Sequence, residues 1–239
     1  MIIIYKNKSY LAFIPARGGS KGIYKKNIAL LNGEPLIRYT LKAAKKSKYI
    51  DYTVASTDDK DIANLCKEGG AEVIMRPDSI SGDNAKIIES LIYTIKVIGK
   101  SFDNIVLLQP TSPFRLSNHI DESIELFNSK GCRPLASVSP VNDNPLLIRR
   151  IDNENALRNL LKCKSTVRRQ DMEAYYRVNG AVYINGIDSI SPVTSFNDNP
   201  IGYIMPQEFS IDIDQQCDLA YAECLLKENE KLRSALCRK

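Results

Sequence analysis

Leu11-Ala12-Phe13-Ile14 runs directly into Pro15-Ala16-Arg17-Gly18-Gly19-Ser20-Lys21-Gly22, and Lys25, Lys26 and Asn27 follow closely. Four apolar residues suited to a buried strand stop at a proline, and the loop behind them carries three glycines, a hydroxyl and two cations. Glycines let backbone N–H groups approach an anion, and Arg and Lys neutralise its charge. The stretch therefore reads as a strand feeding a phosphate-holding loop. The spacing is not the P-loop pattern, which needs Gly-Lys followed by Ser or Thr, nor the dinucleotide fingerprint. A plain Gly-rich turn between a strand and a helix is the bland alternative.

Working outward, strand-like runs recur at Tyr52 to Ser56, Glu72 to Met75, Asn104 to Gln109 and Leu135 to Val138. Helical patterns fall between them at Pro35 to Lys46, Lys60 to Lys67, Lys86 to Ile98 and His119 to Asn128. Such alternation predicts an α/β fold: a mainly parallel, Rossmann-like sheet with helices on both faces and ligands at the carboxyl ends of the strands. Unusual loops follow those ends, at Arg17 to Lys21, at Ser56-Thr57-Asp58-Asp59, at Arg76-Pro77 and at Gln109 to Arg115. Residues 139–203 are richer in Asn, Asp, Arg and Pro, and the strand Tyr176 to Ile184 has no long helix beside it. The expectation is one domain over 1–239 with a small inserted subdomain at about 139–203. A helix over Cys217 to Lys231 closes the fold.

Composition narrows the function. With 44% hydrophobic and 26% charged residues in a chain of 239, the protein reads as ordinary globular, and no apolar run of about 18 residues is present to span a membrane. Met1 to Tyr10 lack a small-residue cleavage site and read as a ragged start, not a signal peptide. A net charge of +5 without a basic stripe interleaved with aromatics argues against nucleic acid and for a small polyanionic substrate. Cys66, Cys132, Cys163, Cys217, Cys224 and Cys237 form no CxxC pair, which favours reduced thiols in the cytoplasm. Cys217 and Cys224, seven apart on a helix, read as core-facing. The single histidine, His119, excludes a Ser-His-Asp hydrolase and reads as a surface residue. Asp58 reads as the N-cap of the helix at Lys60.

In Ser210-Ile211-Asp212-Ile213-Asp214 the two carboxylates sit two apart, and on a strand residues i and i+2 share a face. Converging carboxylates suit Mg²⁺, which takes oxygen ligands and binds substrate phosphates through one or two of them. A solvated acidic strand end, or a cap for the next helix, fits the spacing as well.

Taken together the loops resemble the acylneuraminate cytidylyltransferases, or CMP-sialic acid synthetases. The matching pieces are Ile14 to Gly22 with Lys26-Asn27, Ala55 to Asp58, Arg76-Pro77, Leu108-Gln109-Pro110-Thr111-Ser112-Pro113-Phe114-Arg115, Arg177 with Asn179-Gly180-Ala181, and Ser210 to Asp214. They stand in the family's order and cover nearly the whole chain. The resemblance implies transfer of CMP from CTP to the anomeric hydroxyl of a nine-carbon α-keto sugar acid, most often N-acetylneuraminic acid, with release of pyrophosphate. It implies that Ala16, Arg17, Ser20, Lys21 and Asn27 hold the nucleotide, with Arg17, Lys21 and Lys26 meeting the reacting phosphates. Arg76 and the backbone at Ala85 would read cytosine. Gln109, Ser112, Arg169, Asn179 and Tyr183 would bind the sugar acid, Arg169 rather than its neighbour Arg168 taking the carboxylate. Asp212 and Asp214 would hold Mg²⁺, and two chains would form a homodimer through the inserted segment.

Departures from the family's pattern fall at Tyr24, at Lys86 and over Ile187 to Gly202, which touches the question of the sugar; legionaminic and pseudaminic acid are related candidates. Transfer to an eight-carbon keto acid or a sugar phosphate is the enzymatic alternative. A non-catalytic nucleotide-binding regulator is the alternative from another class.

Overall fold

The computed structural model describes residues 8–141, 143–161, 166 and 173–237. In chain order the elements are β1 (Tyr10–Pro15), β2 (Leu30–Leu31), β3 (Glu34–Pro35), α1 (Leu36–Lys46), β4 (Tyr52–Thr57), α2 (Lys60–Glu68), β5 (Glu72–Met75), α3 (Ile87–Val97) and β6 (Asn104–Leu107). Then come α4 (Ser117–Ser129), β7 (Leu135–Pro140), β8 (Arg149–Ile151), β9 (Leu157–Asn159), β10 (Tyr176–Gly186), β11 (Ile201–Ile204), α5 (Gln216–Glu228) and α6 (Glu230–Cys237).

Seven strands make one sheet in the order β11-β7-β10-β6-β1-β4-β5. β1 pairs in parallel with β4 and β6, β5 with β4, and β11 with β7. β10 runs antiparallel between β6 and β7. The side chains of β1 alternate between two buried layers, as a central strand covered on both faces requires. Tyr10, Ala12 and Ile14 pack with Ile37 and Leu41 of α1 and Phe127 of α4. Leu11 and Phe13 face the other way, toward Ile88 and Leu91 of α3. The predicted α/β sheet, mainly parallel and covered on both sides, is the fold observed.

Among the described residues of 139–203, β10 and β11 belong to the main sheet, and the β8–β9 hairpin forms a two-stranded sheet of its own. Three expectations are corrected. The closing helix breaks at Asn229, whose Oδ1 accepts from Leu232 N at 3.0 Å and so starts α6 afresh. Cys217 and Cys224 are exposed, because Leu219, Ala222 and Leu226 form the buried face of α5. His119 is 4% exposed, with Nδ1 accepting from Leu116 N at 3.2 Å and its ring edge-on to Phe209 at 4.9 Å.

Burial disfavours the imidazolium and lowers the pKa of His119 from 6.5 to about 4, so the folded chain keeps the ring neutral. A base depressed in this way stabilises the fold fully above pH 6.5 and loses that contribution as pH falls toward 4. The loss amounts to about 3 kcal/mol. Urea titrations at pH 7 and pH 4.5 should show His119→Gln losing markedly less stability on acidification than the parent chain. Equal losses would mean that His119 is protonated in the folded state.

Candidate active site

Pro15 ends β1 because it closes the ladder, and the chain turns out at the carboxyl edge of the sheet. The loop beyond is tied down at each step. Ala16 N donates to Ser56 O at 2.9 Å, Gly18 N donates to Asp58 Oδ1 at 2.9 Å, and Asn27 Nδ2 donates back to Arg17 O at 2.8 Å. Asp58 thus anchors the loop, and the helix cap falls to Asp59, whose Oδ1 accepts from Asp61 N and Ile62 N. Lys25, in a left-handed conformation at φ 47°, pairs with Asp59 at 3.2 Å and Asp61 at 2.7 Å. Gly22 is required by space: a Cβ there would lie 2.1 Å from the backbone oxygen of Asp214.

These ties bring most of the expected residues to one cleft of about 400 Å³. Arg17, Ser20, Lys26 and Asn27 line it from the first loop, while Arg76 and the backbone at Ala85 come from the segments after β5. Gln109 and Thr111 follow β6, and Asp212 and Asp214 close the far side. Lys21 lies in an open continuation of the same hollow beside Lys26 and Asp214. Lys26 Nζ and Asp214 Oδ1 are 2.8 Å apart. Arg17 and Lys21 both reach Asp83, at 3.4 Å and 3.3 Å.

Two buried polar groups in the cleft lack partners among the described residues. Arg76 donates from Nη2 to Ser56 O at 2.5 Å, yet its Nε has none; burial lowers its pKa, against the pull of Asp58. Asp212 leaves Oδ1 buried and unbonded. Burial raises its carboxyl pKa and the neighbouring Asp214 raises it further, while a hydrogen bond with the Thr111 side chain opposes the shift. A buried polar atom without a partner costs roughly 1–3 kcal/mol; Ser56, Asn104, Arg115 and Ser139 also carry one, but only Arg76 and Asp212 among these residues line the cleft.

The stretch 210–214 is not a strand; Ile213 N donates to Thr111 O at 2.9 Å, outside any ladder. The alternation still holds, because Ile211 and Ile213 are buried under α5 while the aspartates point the other way, into the cleft. The donor set fits Mg²⁺. Asp212 and Asp214 offer hard oxygen donors, one of them orphaned, and this ion completes such a pair with waters and phosphate oxygens; no cluster of three or more acidic, His or Cys ligands is found among the described residues.

Three expected sugar contacts border the cleft without lining it, and Tyr183 is near enough to Asp212 to feel its charge. Asn179 is buried, donating to Ser210 Oγ at 3.0 Å and accepting from Ser137 Oγ at 2.5 Å. Ser112 is sealed under the carbonyl of Asn179, and Tyr183 donates to Asn197 Oδ1 at 2.8 Å from within the core. Each side chain spends its polar atoms on the fold. Arg169, like Arg168, lies outside the described residues.

Asp83 and the role of Arg115 escaped the sequence reading. Arg115 is 1% exposed and donates to Gln109 O at 3.1 Å, Ala181 O at 2.8 Å and Thr40 Oγ1 at 2.6 Å, fixing the loop after β6; burial lowers its pKa to about 9. Nothing in a lone Arg at the end of Leu108 to Arg115 signals burial. Asp83 was legible only as part of a segment that departs from the family.

The profile of the family described as cytidylyltransferase matches residues 11–237. The chain is 36% identical over 233 residues to the CMP-N,N'-diacetyllegionaminic acid synthase of Legionella pneumophila, across 92% of this chain and 97% of that one. It is 32% identical over 214 residues to the N-acylneuraminate cytidylyltransferase of Escherichia coli, across 89% of this chain and 51% of that one, so it spans about half that relative's length. The solved structure of CMP:2-keto-3-deoxy-manno-octonic acid synthetase complexed with CTP shares the fold, with a TM-score of 0.69 at 14% identity over 92% of this chain and 99% of that one.

Gly22→Ala should lower the melting temperature by a few degrees, since overpacking against backbone costs about 1–3 kcal/mol. Gly19→Ala, with nothing within 4 Å of its Cβ, should leave it unchanged. Calorimetry on both variants checks the pair, and an unshifted Gly22→Ala would mean that the loop does not lie against Asp214.

Proposed function

The chain belongs to the cytidylyltransferase family, and we propose that it transfers CMP from CTP to the anomeric hydroxyl of a nine-carbon α-keto sugar acid, releasing pyrophosphate. The observation that carries this reading is the polarity of the cleft. A loop of glycines and cations faces Asp212, whose buried Oδ1 has no partner among the described residues. Anion-holding and cation-holding walls across one cleft suit a metal-assisted phosphate transfer.

Each residue then has a role. Backbone N–H groups of the first loop, with Ser20 and Asn27, cradle the triphosphate. Arg17 and Lys21 stabilise charge that builds on the departing pyrophosphate, and Lys26 holds phosphate oxygen beside Asp214. Arg76, rigid and buried, reads the cytosine edge with the backbone at Ala85. Asp212 and Asp214 hold Mg²⁺, which would supply Lewis acidity at the α-phosphate. Gln109, fixed through its carbonyl by Arg115, positions the sugar, and Arg169 takes its carboxylate.

For the sugar, N-acetylneuraminic acid is the family's commonest substrate. A second reading, N,N'-diacetyllegionaminic acid, is favoured by similarity that runs along 97% of the Legionella relative. A homodimer is supported by the β8–β9 hairpin, where Ile151 and Leu157 are each 66% exposed. The free state of Cys66, Cys132, Cys217 and Cys224 agrees with a reducing, cytoplasmic setting.

Pyrophosphate release should occur with CTP, Mg²⁺ and one nine-carbon acid from a panel that also holds eight-carbon acids and ATP, GTP and UTP. Release with none of the acids would overturn the reading. Asp212→Asn should cost at least about a hundredfold in kcat. Because burial makes the Asp212 charge unfavourable, the same variant should melt no lower than the parent chain; retained turnover would remove Asp212 from the reaction. Arg169→Ala should raise KM for the sugar acid more than for CTP, and equal effects on both would assign the carboxylate elsewhere.

A further inference from the structure

Asp83 has no place in the roles above, yet it takes both cations at the rim of the phosphate loop. Its Oδ1 lies 3.4 Å from Arg17 Nη1 and its Oδ2 lies 3.3 Å from Lys21 Nζ. Among the described residues, neither cation pairs with any other acid. The same Arg17 Nη1 donates to Gly82 O at 3.0 Å, and that carbonyl also accepts from Ala85 N at 3.0 Å. The turn that carries Asp83 therefore also carries the backbone assigned to cytosine, and Arg17 clips it to the phosphate loop.

We propose that Asp83 is an internal counter-anion of the phosphate loop: it occupies Arg17 and Lys21 in the empty cleft, yields them to the β- and γ-phosphates of the nucleotide, and reclaims them as pyrophosphate leaves. This rests on the nucleotide assignment made above for the same loop. The magnitudes suit a competitor. The Asp83 side chain is 49% exposed and that of Lys21 77%, so the pairs are weak ones that solvent screens. A polyphosphate brings several charges and two-pronged hydrogen bonding to Arg, and it displaces a single carboxylate.

Binding of inorganic pyrophosphate, CTP and CMP to the full chain, by calorimetry on the parent, Asp83→Asn, Asp83→Glu and Glu68→Gln, tests the assignment. Glu68 pairs with Arg38 away from the cleft and controls for net charge. Asp83→Asn should tighten pyrophosphate and CTP about three- to tenfold, the effect of removing two exposed pairs. CMP, which lacks the β- and γ-phosphates, should stay within about twofold, and so should every ligand with Asp83→Glu and Glu68→Gln. The gain should shrink in about 0.5 M salt. Pyrophosphate binding that is unchanged or weaker in Asp83→Asn would overturn the proposal, as would an equal gain for CMP. If pyrophosphate tightens while CTP is bound no better than ATP measured alongside it, the competitor stands and the cytidylyl reading fails.

Discussion

The pairing of β1 with both β4 and β6 is the constraint on which the rest depends. Leu11, Ala12, Phe13 and Ile14 are fully buried, and each large side chain contributes about 1.5–3 kcal/mol by leaving water. Because the two neighbours run parallel to β1, their carboxyl ends lie together, and the loops after β1, β4 and β6 must share one edge. Pro15 then turns the glycine-rich loop out at that edge, and the link from Ala16 N to Ser56 O holds it against β4. Displacing β1 would scatter Arg17, Asp58 and Gln109.

On this rigid edge the cleft tolerates polar groups that the fold alone does not satisfy. Arg76 Nε and Asp212 Oδ1 are buried without partners among the described residues, an arrangement that lowers stability and prepares a site for a ligand of complementary charge. Other polar side chains nearby are spent on order. Arg115 gathers Gln109, Ala181 and Thr40, while Asn179 ties Ser137 to Ser210.

Several details depend on neighbours that the sequence does not name. Ser112, Asn179 and Tyr183 are polar residues in a functional motif, but motif membership does not say whether a side chain faces the cleft or the core. His119, near the start of a helix, reads as exposed, whereas Phe209, far along the chain, packs edge-on against it. Asp58 and Asp59 are adjacent and chemically alike, and the turn geometry alone gives the cap to one and the Gly18 anchor to the other. At 139–203 the change in composition is real, but β10 carries its own buried stretch and enters the main sheet.

By itself the sequence determined what local chemistry determines. Apolar runs ending in Pro or polar turns set the alternation of strands and helices, and that order implies a parallel sheet. The glycines and cations of Arg17 to Gly22 and the acidic pair Asp212 and Asp214 are legible as groups suited to an anion and a cation, since charge and backbone freedom belong to the residue. Only the tertiary structure decided which groups meet. Asp83 reaching Arg17 and Lys21, Lys26 meeting Asp214 across 188 positions, and Arg115 vanishing beneath Gln109 all depend on long-range packing. Burial and pairing are properties of neighbours in space, and the chain specifies those neighbours only through the whole fold.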